Sequence, residues 1–370
     1  VPPMSMLIKP ASGLCNMRCK YCFYSDVTEN RETKQYGIMN EQTLENLVRK
    51  AFFYGEGNCF FGFQGGEPTL AGLDYYKKLL YYQNLYNRSG IQVLNAIQTN
   101  GYVIDDEWAK FFAENHFLVG VSLDGTKEIH DALRLDSAKN GTHQRVLDSI
   151  RLFQKHGVDY NILCVVTDAV AKNAKQVYRA LKQHKFLQFI PCLDDLNGQT
   201  HEHSLTAKAY GEFLKQTFDE YYKDIQNGNY VSVRTFDNYI MVLMGRVPED
   251  CSMRSGCGSY FVIEADGSVY PCDFYALDDY RLGSINENSF IALAKSQNAK
   301  RFLEQSRMPD PKCAECKWHF LCKGGCRRHR EPFDNGNPGP NIFCEGFIDF
   351  FEYAYGRMKE LAEKFQSESL

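Results

Sequence analysis

Six short apolar runs punctuate the first half of the chain, and most are followed by a longer stretch with one oily and one polar face. The runs span 4–10 (MSMLIKP), 58–64 (NCFFGFQ), 92–98 (QVLNAIQ), 117–123 (FLVGVSL), 159–167 (DYNILCVVT) and 186–193 (FLQFIPCL). They are rich in Val, Ile, Leu and Phe without clean alternation, the pattern of strands buried on both faces of a parallel sheet. Between them, segments such as 41–53 (EQTLENLVRKAFF) and 143–157 (HQRVLDSIRLFQKHG) carry apolar residues at helical spacing. Strand and helix, repeated six times, predict an α/β fold: an open, partial (β/α)6 barrel with right-handed crossovers. Glycine, polar and charged residues follow most of the strands and would gather at the C-terminal mouth, where such barrels place their chemistry.

Beyond about residue 205 the pattern changes. A helical stretch, 209–225, and a strand-like piece, 230–236 (YVSVRTF), are expected to lead away from the barrel. In 261–272 (FVIEADGSVYPC) the Asp266–Gly267 pair between two β-rich runs is a hairpin signal. The segment 347–365 reads as one amphipathic helix. No fixed-period repeat and no low-complexity segment interrupts this order. The expected division is a barrel over 1–230 and a cysteine-rich C-terminal iron–sulfur domain with a closing helix over 231–370.

Composition narrows the class. The 370 residues are 44% hydrophobic and 24% charged, ordinary for a folded globular chain, and the formal net charge of −4 gives no support to a nucleic-acid partner. The N-terminal stretch lacks a basic region followed by an apolar one, and no apolar run approaches the roughly 18 residues of a membrane span. A cytoplasmic protein with no membrane partner is expected. Fourteen cysteines are then anomalous, because the cytosol keeps thiols reduced. Cys59, Cys164 and Cys192 sit singly in apolar runs and read as small buried hydrophobes. The other eleven cluster, three in 15–22 and eight in 251–344, and clustered thiols point to metal.

The first cluster, Cys15-x3-Cys19-x2-Cys22, follows the first strand. Three cysteines cannot complete a tetrahedral zinc site, and no histidine lies nearby; a zinc loop with a distant fourth ligand is the competing reading. Three thiolates suit a four-iron cubane with one iron left open. That iron can be chelated by the amino and carboxylate groups of S-adenosyl-L-methionine (SAM), and an electron from the cluster then yields a 5′-deoxyadenosyl radical. The second group shows Cys257, nine residues, Gly267, four residues, Cys272; then Cys313-x2-Cys316-x5-Cys322-x3-Cys326, seventeen residues and Cys344. With Cys251 it offers eight thiols, enough for two fully ligated four-iron clusters or for two structural zinc sites.

The C-x3-C-x2-C spacing, with Tyr21 before its last cysteine, resembles the radical SAM superfamily, and the second group resembles its SPASM extension. The resemblance implies that Gln64, Gly65, Gly66 and Glu67, in QGGEP, approach the SAM amino group, and that Gln98, Ser122, Asp124, Arg134 and Leu193 contact SAM at the same mouth. It also implies that Cys251, Cys257, Cys272 and Cys326 hold one auxiliary cluster, and Cys313, Cys316, Cys322 and Cys344 the other. Three [4Fe-4S] clusters result, one binding SAM and two auxiliary. The basic residues around Cys326 (Lys323, Arg327, Arg328 and Arg330) are expected to balance cluster charge.

Within that superfamily LIKPAS, CNMRCKYCFY, QGGEPTLAGL, ILCVVT and GSVYPCDFYALDDYRLGSI are similar to anaerobic sulfatase-maturating enzymes. Membership implies oxidation of a sulfatase Cys or Ser, in a Cys-x-Pro-x-Arg-like motif or its serine analogue, to Cα-formylglycine. It implies Asp273 as the base and a flavodoxin- or ferredoxin-type electron donor. The rival reading is another SPASM peptide modifier, forming thioethers or epimerising residues. Only fourteen residues precede Cys15, too few for the leader-binding domain that many thioether-forming relatives carry. An electron carrier or zinc scaffold, the rival from another class, has no use for an open-site cluster with a GGE loop. His201-Glu202-His203 resembles a metal dyad but lies in a polar stretch and reads as a solvated loop.

Overall fold

A computed structural model describes residues 3–258, 260–333, 336 and 338–368. The six apolar runs become β1 (Met4–Ile8), β2 (Asn58–Phe63), β3 (Gln92–Thr99), β4 (Leu118–Ser122), β5 (Tyr160–Val166) and β6 (Phe186–Pro191), each parallel to the next. Met4, Met6 and Ile8, with Phe61, Phe63, Val119, Val121, Ile162 and Cys164, are buried against the helices. Each large apolar side chain so buried contributes about 1.5–3 kcal/mol. The alternate positions lie on the other face of the sheet, where Gln98 sits beside Gly120 of the neighbouring strand.

The helices start where the sequence supplies caps. Asn40 Oδ1 accepts from Thr43 N at 2.9 Å before Glu41–Tyr54, and Asp105 Oδ1 accepts from Trp108 N at 3.0 Å before Asp106–Glu114. Gly157, left-handed at φ 71°, closes His143–His156.

Two expectations for the second half are corrected. Of 230–236 only β7 (Ser232–Val233) is strand, pairing with β6; Arg234 opens the helix Arg234–Leu243, which buries Phe236, Tyr239 and Ile240. Nor does this stretch leave the barrel. The helix Ala207–Gln226 buries Phe213, Phe218 and Tyr221, packing on the preceding barrel helices and on the C-terminal helix Cys344–Glu368. The hairpin forms as expected, β8 (Phe261–Ile263) against β9 (Ser268–Tyr270), with Gly267 at φ 89°. It does not stand apart: β8 runs parallel to β1, with Met6 opposite Phe261, and β10 (Gly283–Ser284) adds the edge. The described residues thus form one sheet of ten strands, ordered β10-β9-β8-β1-β2-β3-β4-β5-β6-β7. The cysteine-rich chain is stitched to the barrel through its first strand. Among the described residues no helix is long and apolar enough to cross a membrane.

The two long C-terminal helices touch through glycine. A Cβ on Gly346 would lie 2.2 Å from the carbonyl oxygen of Ala207, and one on Gly211 would lie 2.9 Å from Cα of Gly346. Gly346→Ala should therefore lower stability by about 1–3 kcal/mol in chemical denaturation. Gly356→Ala, on the exposed face of the same helix with nothing within 4 Å of its added methyl, should be neutral or stabilising by up to about 1 kcal/mol. Equal losses in the two variants would contradict the contact.

Candidate active site and cluster-binding centres

The loop carrying Cys15, Cys19 and Cys22 crosses the C-terminal mouth of the barrel. Arg18 N donates to Leu135 O at 2.7 Å and Lys20 N to Leu133 O at 3.0 Å, so the backbone is latched on either side of Arg134. Cys22 caps the helix Phe23–Glu29, its sulfur accepting from Ser25 N at 3.4 Å. Burial pushes the Cys15 thiol up to about 12, with Glu67, Cys19 and Cys22 adding to the rise. Burial likewise takes Cys19 to about 11, held back by the Arg134 guanidinium. Three sequestered thiols within electrostatic range of one another stay ionised only beside a strong positive charge, which bound iron supplies.

The Gly-Gly turn is explained by the protein itself. Gly66 N donates to Ser12 O and Glu67 N to Leu14 O, both at 2.7 Å. A Cβ on Gly66 would fall 2.1 Å from Leu14 O, and Gly65 sits at φ 137° with its would-be Cβ 2.9 Å from Ser12 O. The turn is pressed against the thiol loop, and only glycine allows that approach. Glu67, expected among the SAM contacts, is buried, and its carboxylate accepts from Thr69 N, Thr69 Oγ1, Thr99 Oγ1 and Asn100 N at 2.6–3.1 Å. It holds Asn100, whose Nδ2 lies 3.7 Å from Cys15 Sγ and donates to Asn16 Oδ1 at 2.8 Å.

Asp124 is the electrostatic hub. Its carboxylate accepts from Arg134 Nε at 2.8 Å and Nη2 at 3.3 Å, from Val165 N at 2.9 Å, and from the Tyr21 hydroxyl. The Arg134 guanidinium lies 5.3 Å from the Tyr21 ring centroid. Arg134 is buried, and two of its three nitrogens are committed to Asp124. His130, which the sequence reading missed, accepts from Asp124 N at 3.2 Å on Nδ1 and lies 3.0 Å from Thr142 Oγ1 on Nε2; Thr142 in turn donates to Arg134 O. Burial drives the His130 pKa down to about 3, so the ring is neutral. Gln98 packs over Gly120 and, with Ser122, faces the lumen; Leu193 is half-buried in the segment just past β6.

The loop of His201-Glu202-His203 exposes His201 and Glu202, as expected, but turns His203 inward. His203 is buried, its ring 6.3 Å edge-on from Tyr21 and stacked 5.0 Å from His201, which bonds to Asp195 at 2.8 Å. The segment bearing it is tied to the cysteine-rich region where Arg328 Nη2 donates to Asp194 O at 2.8 Å.

The eight C-terminal thiols separate into two groups. Cys251, Cys257, Cys272 and Cys326 influence one another, with burial pushing Cys326 to about 12 and Cys251 to about 11. Cys313, Cys316, Cys322 and Cys344 line one cavity of about 120 Å³. Among the described residues no three Cys, His, Asp or Glu side chains converge as a single-ion site. A four-iron cluster spreads its thiolates around a body larger than a single ion, and four thiols lining one cavity fit that donor set. The nearby cations do structural duty as well: Arg327 lies 4.4 Å from the centroids of both Tyr275 and Phe302, and Arg330 donates to main-chain carbonyls of Ser306, Met308 and Gly339.

Asp273, beside Cys272, meets a residue from the other end of the chain. Lys9, just past β1, is wholly buried, bonds through its backbone to Ile263 O, forms an ion pair with Asp273 and lies 3.8 Å from the Tyr24 ring centroid. Tyr24 donates in turn to Glu264, which also pairs with Arg31 at 2.8 Å. Phe23, next to Cys22, packs edge-on against Phe274 at 4.9 Å. The thiol loop and the Cys272 segment are therefore in direct contact.

Comparison with known proteins agrees with this arrangement. Residues 10–177 match the radical SAM superfamily and residues 251–317 an iron–sulfur cluster-binding domain, SPASM. The chain is 48% identical to the cysteine-type anaerobic sulfatase-maturating enzyme of Clostridium novyi, over 97% of each chain. It is 30% identical to the serine-type enzyme of Bacteroides thetaiotaomicron, over 95% of this chain and 89% of that one. The solved structure of native anSMEcpe with bound AdoMet and Kp18Cys peptide superposes with a TM-score of 0.94 at 44% identity, covering 98% of this chain and all of that one.

The neutral His130 makes a pH signature. It takes up a proton near pH 6.5 when unfolded but only near pH 3 when folded, so the unfolded state binds more protons in between. Stability is full above pH 6.5 and is lost as pH falls toward 3. Between about pH 7.5 and about pH 5.5, urea denaturation should show His130→Gln losing about 1.4 kcal/mol less than wild type. Equal losses would contradict a buried neutral ring.

Proposed function

Since the chain belongs to the anaerobic sulfatase-maturating enzymes of the radical SAM superfamily, we propose that it converts the active-site cysteine of a sulfatase to Cα-formylglycine with Asp273 as the base. The enzyme uses SAM and [4Fe-4S] clusters. The observation that carries the assignment is the meeting of the two chemical halves: the three-thiol loop and the Cys272–Asp273 segment touch through Phe23 and Phe274.

Cys15, Cys19 and Cys22 hold the SAM-binding cluster. Cys251, Cys257, Cys272 and Cys326 hold the first auxiliary cluster; Cys313, Cys316, Cys322 and Cys344 hold the second. When bound, these cofactors supply a 5′-deoxyadenosyl radical that removes a hydrogen atom from the substrate Cβ. The lumen residues Gln98, Ser122 and Leu193 orient SAM and shield it, while the Asp124–Arg134–Tyr21 set fixes the charge beneath the thiol loop. The remaining polar edge of Arg134 and the backbone of Gln64, Gly65 and Gly66 meet the amino-acid end of SAM. Glu67 acts at one remove, by holding Asn100. Asp273 takes the thiol proton, and the remaining electron would pass to an auxiliary iron–sulfur cluster held by the C-terminal thiolates. Removal of one hydrogen atom, one proton and one electron turns the thiol into a thioaldehyde, which water hydrolyses to the aldehyde and hydrogen sulfide.

The Lys9 ammonium forms an ion pair with Asp273 and holds its side chain in place. The substrate is a polypeptide, and the cavity of about 850 Å³ lined by Leu118, Asn161, Phe186, Gln188 and Arg234 among others lies where β4, β5 and β6 begin, at the end of the barrel opposite the thiol loop. The peptide seen with the anSMEcpe relative supports a substrate of this class. A Cys-x-Pro-x-Arg-like segment fits the cysteine-type relatives, which stand at 44–48% identity against about 30% for the serine type. A flavodoxin- or ferredoxin-type protein delivers the reducing electron. The division near residue 230 separates SAM chemistry from electron acceptance.

The test is anaerobic, with reconstituted enzyme, reductant, SAM and matched Cys and Ser peptides, read by mass spectrometry. Wild type should convert the Cys peptide faster. Asp273→Asn should go on cleaving SAM while formylglycine falls by about 10²-fold or more, the scale of losing a positioned base. Wild-type product from Asp273→Asn would remove Asp273 from the mechanism.

A further inference from the structure

Tyr260 stands just ahead of β8, in a small satellite core with Cys22, Phe23, Tyr24 and Tyr270. Its hydroxyl makes two contacts. It donates to Cys272 Sγ at 3.5 Å and accepts from the backbone N–H of Asp273 at 3.3 Å. With one proton to give, the phenol spends it on sulfur and turns a lone pair to the peptide. One side chain thus touches a thiol of the first auxiliary group and the backbone of the residue carrying the base.

We propose that Tyr260 is a positioning residue that couples electron acceptance to proton acceptance: it makes the auxiliary cluster a better electron acceptor while it fixes the backbone from which Asp273 reaches the substrate. The proposal rests on reading Cys272 as a cluster ligand and Asp273 as the base. A hydrogen bond to a ligating sulfur draws charge from it and stabilises the reduced cluster, which carries one more negative charge, more than the oxidised one. The reduction potential rises. A phenylalanine there removes the hydroxyl donor and leaves the sulfur only the backbone N–H of Phe274 among these contacts.

The experiment uses the full chain, reconstituted and anaerobic. Potentiometric titration followed by electron paramagnetic resonance reads each cluster's potential without any peptide, and iron analysis reads loading. Tyr260→Phe should keep its iron, lower the potential of the first auxiliary cluster and leave the SAM-binding cluster unmoved. With peptide added, 5′-deoxyadenosine should still form, while formylglycine per 5′-deoxyadenosine falls severalfold. Replacing Tyr260 by 3,5-difluorotyrosine, a stronger donor of the same shape, should move the potential above wild type. An unchanged potential in both variants, or loss of about four irons per chain in Tyr260→Phe, would overturn the proposal. Cys272→Ala tests the ligand reading separately, by whether the auxiliary signal is lost or altered; Asp273→Asn tests the base reading by product alone.

Discussion

A lysine buried to the last atom must find a negative charge, and Lys9 finds Asp273. The pair joins the end of the first barrel strand to the residue after Cys272, so it links the barrel to the cysteine-rich region. Removing one partner of such a pair typically costs about 3–5 kcal/mol, because the other charge is left stranded. The contact is reinforced by the parallel pairing of β8 with β1 and by the buried set of Tyr24, Glu264 and Arg31 behind it. The cysteine-rich region is held in register with the barrel by backbone hydrogen bonds and by charge.

That register gives the chemistry its division of labour. On the proposed mechanism, hydrogen-atom removal belongs to the mouth beneath Cys15, Cys19 and Cys22, proton removal to Asp273, and electron removal to a cluster that the thiols grouped around Cys272 would hold. Asp273 is buried and most of the clustered thiols are partly covered, which matters for a reactive radical and for thiols whose ionised form needs a metal partner. The Asp124–Arg134 pair does for the thiol loop what Lys9 does for Asp273: it fixes a charge where the backbone alone would leave it loose. His130 and Thr142 then brace that pair without adding charge.

Much of this was legible in the chain. The six apolar runs became strands with edges moved by three residues or fewer, because strands buried on both faces leave an unbroken apolar signature. The thiol spacings marked the two cysteine-rich segments, while the division of the eight later cysteines into two sets of four came only from the family resemblance. Other features were hidden because they depend on partners far apart in sequence. Lys9 looked like the end of a strand, and nothing near it announces Asp273. Tyr260 and His130 are unremarkable in sequence, and their roles come from what burial brings beside them. Gly65 and Gly66 were read through a ligand, whereas the structure shows the thiol loop demanding them. His203 lies in a polar stretch, yet its ring is covered by packing near Tyr21 that no local pattern encodes. The strand-like YVSVRTF kept only Ser232–Val233 as strand for a simpler reason: β-branched residues on a short run cannot outweigh the helical apolar spacing of Phe236, Tyr239 and Ile240.

The central claim is that a single substrate carbon gives its hydrogen to SAM chemistry while Asp273 takes the neighbouring proton. The most direct measurement incubates the reconstituted enzyme with SAM and a sulfatase peptide whose target cysteine carries deuterium at Cβ. The account predicts deuterium in 5′-deoxyadenosine, one atom for each formylglycine formed. Unlabelled 5′-deoxyadenosine accompanying labelled aldehyde would contradict it.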